Sequence, residues 1–310
     1  MTTTAEVKLP EGRVYELPIE PHLYYDGLEG IGIGPRFGGH IRKGDWYLEL
    51  GGPRHNYTSF LFAEWVEDYE NLTDGKVTLV GPELNEVPEE SSFPFAYYIS
   101  VGGPALTIEY FPMVERSMTM GLGWVEGVMV IGARSQVWMR VSKKMAPKHS
   151  IRTITQACRA MIRSLVLTAE RIEQKVIIAT PEMGGVNAIA PLLDQAQKDW
   201  EAYDAKRAIT VTDEEVDTYY GCTICRLIAP THVCVCTPER APYCGFLEYT
   251  AMKVFAEVDP AGFIFPIEKE ETLDAKKGWF SGVDKAVYEK SSGRTRKVYL
   301  NSCIEYPTTN

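Results

Sequence analysis

No uninterrupted apolar stretch in these 310 residues approaches the roughly 20 that a membrane-spanning helix requires, which argues against a membrane role. Nor is there a tract of lysine and arginine. With 32 basic against 42 acidic side chains and a net charge of −10, the chain carries no electrostatic footprint for nucleic acid. The N-terminus, Met1-Thr-Thr-Thr-Ala-Glu-Val-Lys, has no charged segment leading into an apolar one, so a cytoplasmic chain with reduced thiols is expected. Gly30-Ile-Gly-Ile-Gly-Pro-Arg-Phe-Gly-Gly39 has the glycines of a phosphate loop. It lacks the strand before and the helix after, and Pro35 interrupts it, so it reads as a flexible connector.

The composition that remains, 45% hydrophobic and 24% charged, is that of a globular protein with room for two domains. Cysteine is scarce at seven, yet Cys222, Cys225, Cys234, Cys236 and Cys244 fall in one short segment. Thiolates are soft ligands, and four from one segment can enclose a tetrahedral zinc ion or an iron–sulfur cluster. Cys222 and Cys225 form a Cys-x-x-Cys pair that meets one centre around a tight turn, while Pro230, Pro238 and Pro242 stiffen the loops that return Cys234 and Cys244. Spacing alone leaves zinc and iron–sulfur both open.

The residues between the cysteines narrow the choice. Asp217-Thr-Tyr-Tyr-Gly-Cys-Thr-Ile-Cys, Ala229-Pro-Thr-His-Val-Cys, Thr237-Pro-Glu-Arg and Cys244-Gly245 resemble the cluster-binding segment of acetyl-CoA synthase, the carbonyl-condensing subunit of the carbon monoxide dehydrogenase/acetyl-CoA synthase system. The resemblance continues through Lys277-Gly-Trp-Phe-Ser-Gly-Val-Asp and Val287-Tyr-Glu-Lys-Ser. Upstream it runs through Ile41-Arg-Lys-Gly-Asp-Trp-Tyr-Leu-Glu-Leu-Gly-Gly and the stretch holding Gly132, Arg134, Trp138, Arg140 and Ser142, so it covers most of the chain from Ile41 onward.

The resemblance implies that Cys222, Cys225, Cys234 and Cys244 hold a [4Fe–4S] cubane, with Cys225 also bridging to nickel. It implies an acyltransferase that condenses carbon monoxide, a methyl group from a corrinoid iron–sulfur protein and coenzyme A into acetyl-CoA. A carbon monoxide dehydrogenase subunit is then an expected partner. Arg134, Trp138 and Arg140 are the candidate coenzyme A contacts, through phosphate pairing and adenine stacking. The chain departs from the family in having no Cys-Gly-Cys for a second nickel, no counterpart of the bacterial N-terminal docking domain, and Ile228 where the family has an aromatic residue near the metal. The absent Cys-Gly-Cys and Ile228 keep a second reading in play, a non-catalytic [4Fe–4S] module that transfers electrons or docks on a partner; a structural zinc domain is a third, should the resemblance mislead about the metal.

The expected fold is α+β in two domains, a mixed sheet with packed helices followed by a cysteine-rich cluster-binding domain. The boundaries are an irregular segment at 1–40, a middle domain at 41–207 on the coenzyme A and partner side, and a cluster domain at 208–310 that is incomplete at its C-terminus. Trp46, Leu48 and Leu50 alternate with Tyr47 and Glu49 as in a half-buried strand; strands are also expected at 76–80, 96–101, 106–111, 136–142 and 176–179. Ile154, Cys158, Met161, Ile162, Leu165, Ala169 and Ile172 recur at helical spacing, which makes Cys158 a buried small hydrophobe. A second helix is expected from Pro191 to Lys206. Thr212 and Glu215 read as a capping box for a short helix delivering Cys222, Gly245–Val258 as a helix on the far side of the cysteines, and Arg296–Leu300 as a short strand. His232 is expected to support the site without ligating, Cys236 to face away from Cys234, Arg240 to meet either cluster charge or its own loop, and Cys303 to be a stray thiol or substitute ligand.

Overall fold

Residues 9–17, 41, 44–104, 111–123, 125–166, 168–206, 211–227, 229–240, 242 and 248–301 are described in this computed structural model. They divide between two units, Met1–Lys206 and Arg207–Asn310. Both mix strands and helices, so the chain is α+β. Among the described residues, no helix is long and apolar enough to cross a membrane.

The first unit is built on β1 (Arg13–Glu16), β2 (Trp46–Gly51), β3 (Phe60–Trp65), β4 (Lys76–Val80), β5 (Ser91–Phe93), β6 (Phe95–Gly102), β7 (Val128–Ile131), β8 (Trp138–Ser142) and β9 (Arg171–Ile178). One sheet runs β1-β4-β9-β6-β3 and the other β5-β2-β8-β7, each with parallel and antiparallel pairs. Alternation sets the faces: Ile172, Gln174, Val176 and Ile178 of β9 are buried while Arg171, Glu173 and Lys175 are more open. In β2 that alternation breaks, because Glu49 is as buried as Leu48 and Leu50.

The unit also holds the helices α1 (Phe111–Gly123), α2 (Ile151–Leu165) and α3 (Val186–Lys206). Ser150 caps α2, its hydroxyl accepting the Thr153 N–H at 3.1 Å, and the Glu83 carboxylate accepts the Ile151 N–H at 3.0 Å. Phe111, the last residue of the strand expected at 106–111, instead starts helix α1, and 106–110 lie outside the described residues. The helical period was present, since Phe111, Val114, Met118 and Leu122 are all fully buried. At Gly121 an added Cβ would sit 2.6 Å from the Cys158 Cα, so glycine is what lets α1 lie against α2. Helix α2 stops at Leu165, and the Ile172 assigned to it belongs to β9. Helix α3 starts at Val186, after Gly184 and Gly185 turn the chain at positive φ, so Pro191 falls inside it.

The second unit holds a three-stranded antiparallel sheet, β11-β10-β12, from β10 (Thr218–Cys222), β11 (Cys234–Cys236) and β12 (Ile264–Glu268), with a small ladder of β13 (Thr272–Asp274) and β14 (Trp279–Phe280). Tyr219 and Ile267 pair across β10 and β12 and pack with Val233, Val283, Val287 and Val298, which puts α5 (Ser281–Lys290) against that face. Tyr220 projects the other way and meets the ring of Tyr249, which opens α4 (Tyr249–Val258), at 5.3 Å. The sheet is thus held between two helices. Gly221 sits opposite Phe265, whose ring occupies the space of a Cβ. Three expectations fail here. No helix follows Thr212, although Glu215 does accept the Thr212 N–H at 2.7 Å, and Cys222 is delivered by β10. The helix after the cysteines begins at Tyr249, while Gly245 lies outside the described residues. Residues 296–300 form no strand.

Candidate metal centre

The pairing of β10 with β11 places the first sulfurs. Cys222 lies directly opposite Cys234, and Tyr220 opposite Cys236. Directly opposed residues of an antiparallel pair share a face, with Cβ atoms about 4.5–5.5 Å apart. Residues two apart on one strand also share a face, so Cys236 stands on the same side as Cys222 and Cys234. The expectation that Cys236 faces away is corrected on that ground. Cys236 is fully buried, and its Sγ is 3.7 Å from the Thr237 carbonyl. Burial, together with negative charge at Cys222, Glu248, Asp213 and Cys234, pushes its thiol well above the ordinary range. It stays protonated at neutral pH.

Cys225 follows on a single 3-10 turn, Ile224–Leu227, and is partly open to solvent. A short relay of backbone bonds then carries the chain back towards Cys234. The Cys225 carbonyl accepts the Ala229 N–H at 2.8 Å, and the Ala229 carbonyl accepts the His232 N–H at 2.9 Å. The His232 ring ends that relay with Nε2 3.0 Å from the Cys234 Sγ. Thr223 anchors the start of the turn, giving its N–H and its hydroxyl to the Phe263 carbonyl at 2.9 and 3.1 Å.

Beyond Cys236 the chain is fastened by a residue that sequence reasoning passed over. Asp213 is buried, and its carboxylate accepts the Glu239 N–H at 3.0 Å and pairs with the Arg240 guanidinium. Its carbonyl accepts from Tyr219 Oη at 3.2 Å and Lys269 Nζ at 2.8 Å. Arg240 therefore serves its own loop. No local signal marked it, because its partners lie 26 and 27 residues further along the chain. Cys244, Ile228 and Cys303 lie outside the described residues, and among the described residues no three histidine, cysteine or acidic side chains come close enough together to hold a metal ion.

In the first unit, Arg134, Trp138 and Arg140 all have protein partners. Arg140 lies across the β2–β8 ladder from Glu49, which is buried on every side. Its Nε donates to Glu49 Oε2 at 2.7 Å and its Nη1 to the Ile41 carbonyl at 2.9 Å. Ser92 Oγ donates to Glu49 Oε1 at 3.0 Å, and His55 Nε2 lies 2.8 Å from that hydroxyl. Burial lowers the His55 pKa against the pull of Glu49. Arg134 is held at φ +47 by a fork to Glu115 at 2.8 and 3.1 Å and another to Asp204 at 2.6 and 2.8 Å. The Trp138 ring lies 4.4 Å from the Arg140 guanidinium carbon and fills the space over Gly52. A phosphate arriving at either arginine would compete with carboxylates already in place.

Two family models match. Residues 30–183 match the beta subunit of the CO dehydrogenase/acetyl-CoA synthase complex, and residues 200–310 match the C-terminal region of the ACS/CODH beta subunit. The acetyl-CoA decarbonylase/synthase complex subunit beta of Methanopyrus kandleri is 35% identical over 286 residues, covering 90% of this chain and 58% of that protein. That of Methanothermobacter thermautotrophicus is 35% identical over 274 residues, covering 88% and 57%. The subunit beta 2 of Methanosarcina thermophila is 34% identical over 280 residues, covering 90% and 57%. The chain belongs to the acetyl-CoA synthase beta-subunit family. It spans a little over half the length of these curated relatives.

For this family member the donor set can be tested against an iron–sulfur centre. Cys222 and Cys234 share one face, Cys225 lies one turn further on, and a ring nitrogen is aimed at one of the sulfurs. Thiolates are the soft donors that such a centre takes, and Cys244, the fourth cysteine expected, lies outside the described residues.

Proposed function

We propose that this chain is the metal-binding part of an acetyl-CoA synthase, holding a [4Fe–4S] cluster on Cys222, Cys225, Cys234 and Cys244, with Cys225 shared with nickel. The reading is carried by the cross-strand register that puts Cys222 opposite Cys234, one turn from Cys225. When bound, the centre supplies the electron-rich metal at which carbon monoxide and a methyl group are joined and passed to coenzyme A. The protein's own residues shape that site. The β10–β11 ladder fixes two sulfurs, and the Ile224–Leu227 turn leaves Cys225 partly open to solvent, as a bridging thiolate needs. Asp213 fastens the loop that leads to Cys244. Cys236 remains a buried, protonated neighbour.

The same reading gives the chain its partners: a corrinoid iron–sulfur protein as methyl donor, a carbon monoxide dehydrogenase subunit, and coenzyme A. For coenzyme A the candidate contacts remain Arg134, Trp138 and Arg140. Their carboxylate partners imply that binding there exchanges ion pairs and does not fill vacant charge.

The test is metal content after anaerobic reconstitution with iron, sulfide and nickel. About four irons per chain are expected, with Cys222→Ser, Cys225→Ser, Cys234→Ser and Cys244→Ser each losing most of them and Cys236→Ser keeping them. Nickel that disappears in Cys225→Ser would support the bridge. Full iron in any of the four variants removes that cysteine from the set, and zinc in place of iron overturns the reading.

A further inference from the structure

We propose that His232 is a positioning residue that sets the reduction potential of the cluster, by donating its Nε2–H to the Cys234 sulfur. The inference rests on the cluster assignment above and deepens it. Its basis is the 3.0 Å separation between Nε2 and Sγ. A cluster-bound thiolate carries no proton and can only accept, so the imidazole nitrogen must be the donor. The ring is not held there by chance contact: the His232 backbone N–H is tied to the Ala229 carbonyl at 2.9 Å, and the Ala229 N–H to the carbonyl of Cys225 at 2.8 Å. The relay thus begins at one ligand and ends on another. Val233, between His232 and Cys234, is buried in the core formed with Tyr219 and Ile267, which fixes the direction in which both neighbours leave the backbone.

An N–H aimed at a ligand sulfur draws electron density from it. Adding one electron to the cluster raises the negative charge on its sulfurs, so the hydrogen bond stabilises the reduced state more than the oxidised one and raises the potential. Losing the donor therefore makes one-electron reduction harder, with no change in iron count.

The experiment compares the reconstituted intact chain with His232→Gln, which keeps an N–H at similar reach, and His232→Phe, which keeps volume and removes the donor. Potentials are read by anaerobic titration with a low-potential chemical reductant. At fixed poise, His232→Phe is expected to show about a tenfold lower reduced-to-oxidised ratio, equivalent to about 59 mV for one electron, and His232→Gln to recover most of it. With 15N-labelled histidine, the reduced cluster should show a nitrogen coupling that His232→Phe lacks. Equal potentials in wild type and His232→Phe, or equal shifts in Phe and Gln, would overturn the proposal in favour of simple packing. So would variants that bind no iron while the wild type does, since His232 would then act in assembly. A wild-type chain that takes up no iron would instead sink the cluster assignment itself.

Discussion

The two units treat buried charge differently. In the first, charged groups close on one another: Glu49 on Arg140 and Ser92, Asp74 on Arg159 and Arg163, and Arg134 on Glu115 and Asp204. Each cluster joins opposite charges from separate elements, so these groups fix the packing of strands and helices. In the second unit the polar hub, Asp213, fastens a loop, and the sheet face beside it gathers sulfur from two strands. The ion pairs of the first unit tie its frame together, and Cys222, Cys234 and Cys236 of the second stand on one sheet face beside a loop that the Asp213–Arg240 ion pair fastens. Arg134 and Arg140, which the family resemblance offers as coenzyme A contacts, are also members of these closed pairs.

The largest effect should come from opening the most buried pair. Glu49→Ala strands the Arg140 guanidinium in a site with almost no solvent, and a loss of about 3–5 kcal/mol is expected from denaturant unfolding. Glu49→Leu combined with Arg140→Met should recover most of it, because the one charge that then loses its carboxylate, Arg54, is more than half exposed to water. A loss under about 1 kcal/mol for Glu49→Ala would break the contrast between the units. Asp74→Asn should cost less, about 2–3 kcal/mol at neutral pH, since Arg163 is partly open to water. Burial raises the Asp74 pKa, but the Arg159 and Arg163 guanidiniums and the Ile172 N–H outweigh it and hold the carboxyl below its usual value. The stability it contributes is complete above the unfolded pKa of about 3.9. It is lost as pH falls through the lower folded value. Melting temperature measured from pH 6 downwards should fall more steeply below pH ~4 in wild type than in Asp74→Asn. In the second unit, Asp213→Ala should cost about 1–2 kcal/mol, moderated because Arg240 is 37% exposed. It should also reduce iron retention on dilution, whereas a variant that keeps full retention would detach Asp213 from the site.

How far the sequence led is clearest residue by residue. Strands at 46–51, 76–80 and 95–102 were legible because alternation and the Asp74-Gly75 turn are local signals. The burial of Glu49 was not, since its partner Arg140 lies 91 residues further along and only the β2–β8 register brings them together. Helix α1 was not read from the sequence, although its buried residues Phe111, Val114, Met118 and Leu122 keep helical spacing. The cysteine segment was legible as chemistry but not as geometry. Cys222 was placed after a helix and comes from a strand, and Cys236 was turned away although the period of a strand keeps it on the face of Cys234. Asp213 was invisible because its role depends on a loop 26 residues away.

The smallest effect concerns a cysteine that is not part of the segment, and it sharpens the comparison between frame and site. Cys158 lies in the stripe of α2 that packs on α1, fully buried, with Sγ 3.5 Å from the Met118 carbonyl. Burial pushes its thiol up to about 12. At pH 8 the thiolate fraction is then lower by roughly three orders of magnitude than for a free thiol of pKa ~8.5, before steric exclusion is considered. Cys158 should therefore escape alkylation in the native metal-free chain, while the partly open Cys225 reacts. Cys158→Ala should cost only about 1 kcal/mol, because one sulfur is removed from a contact that Gly121 already makes close. Mass mapping of a timed alkylation decides the matter. Labelling of Cys158 as fast as that of Cys225 would show the first unit opening around α2, and its sulfur would no longer belong to the frame.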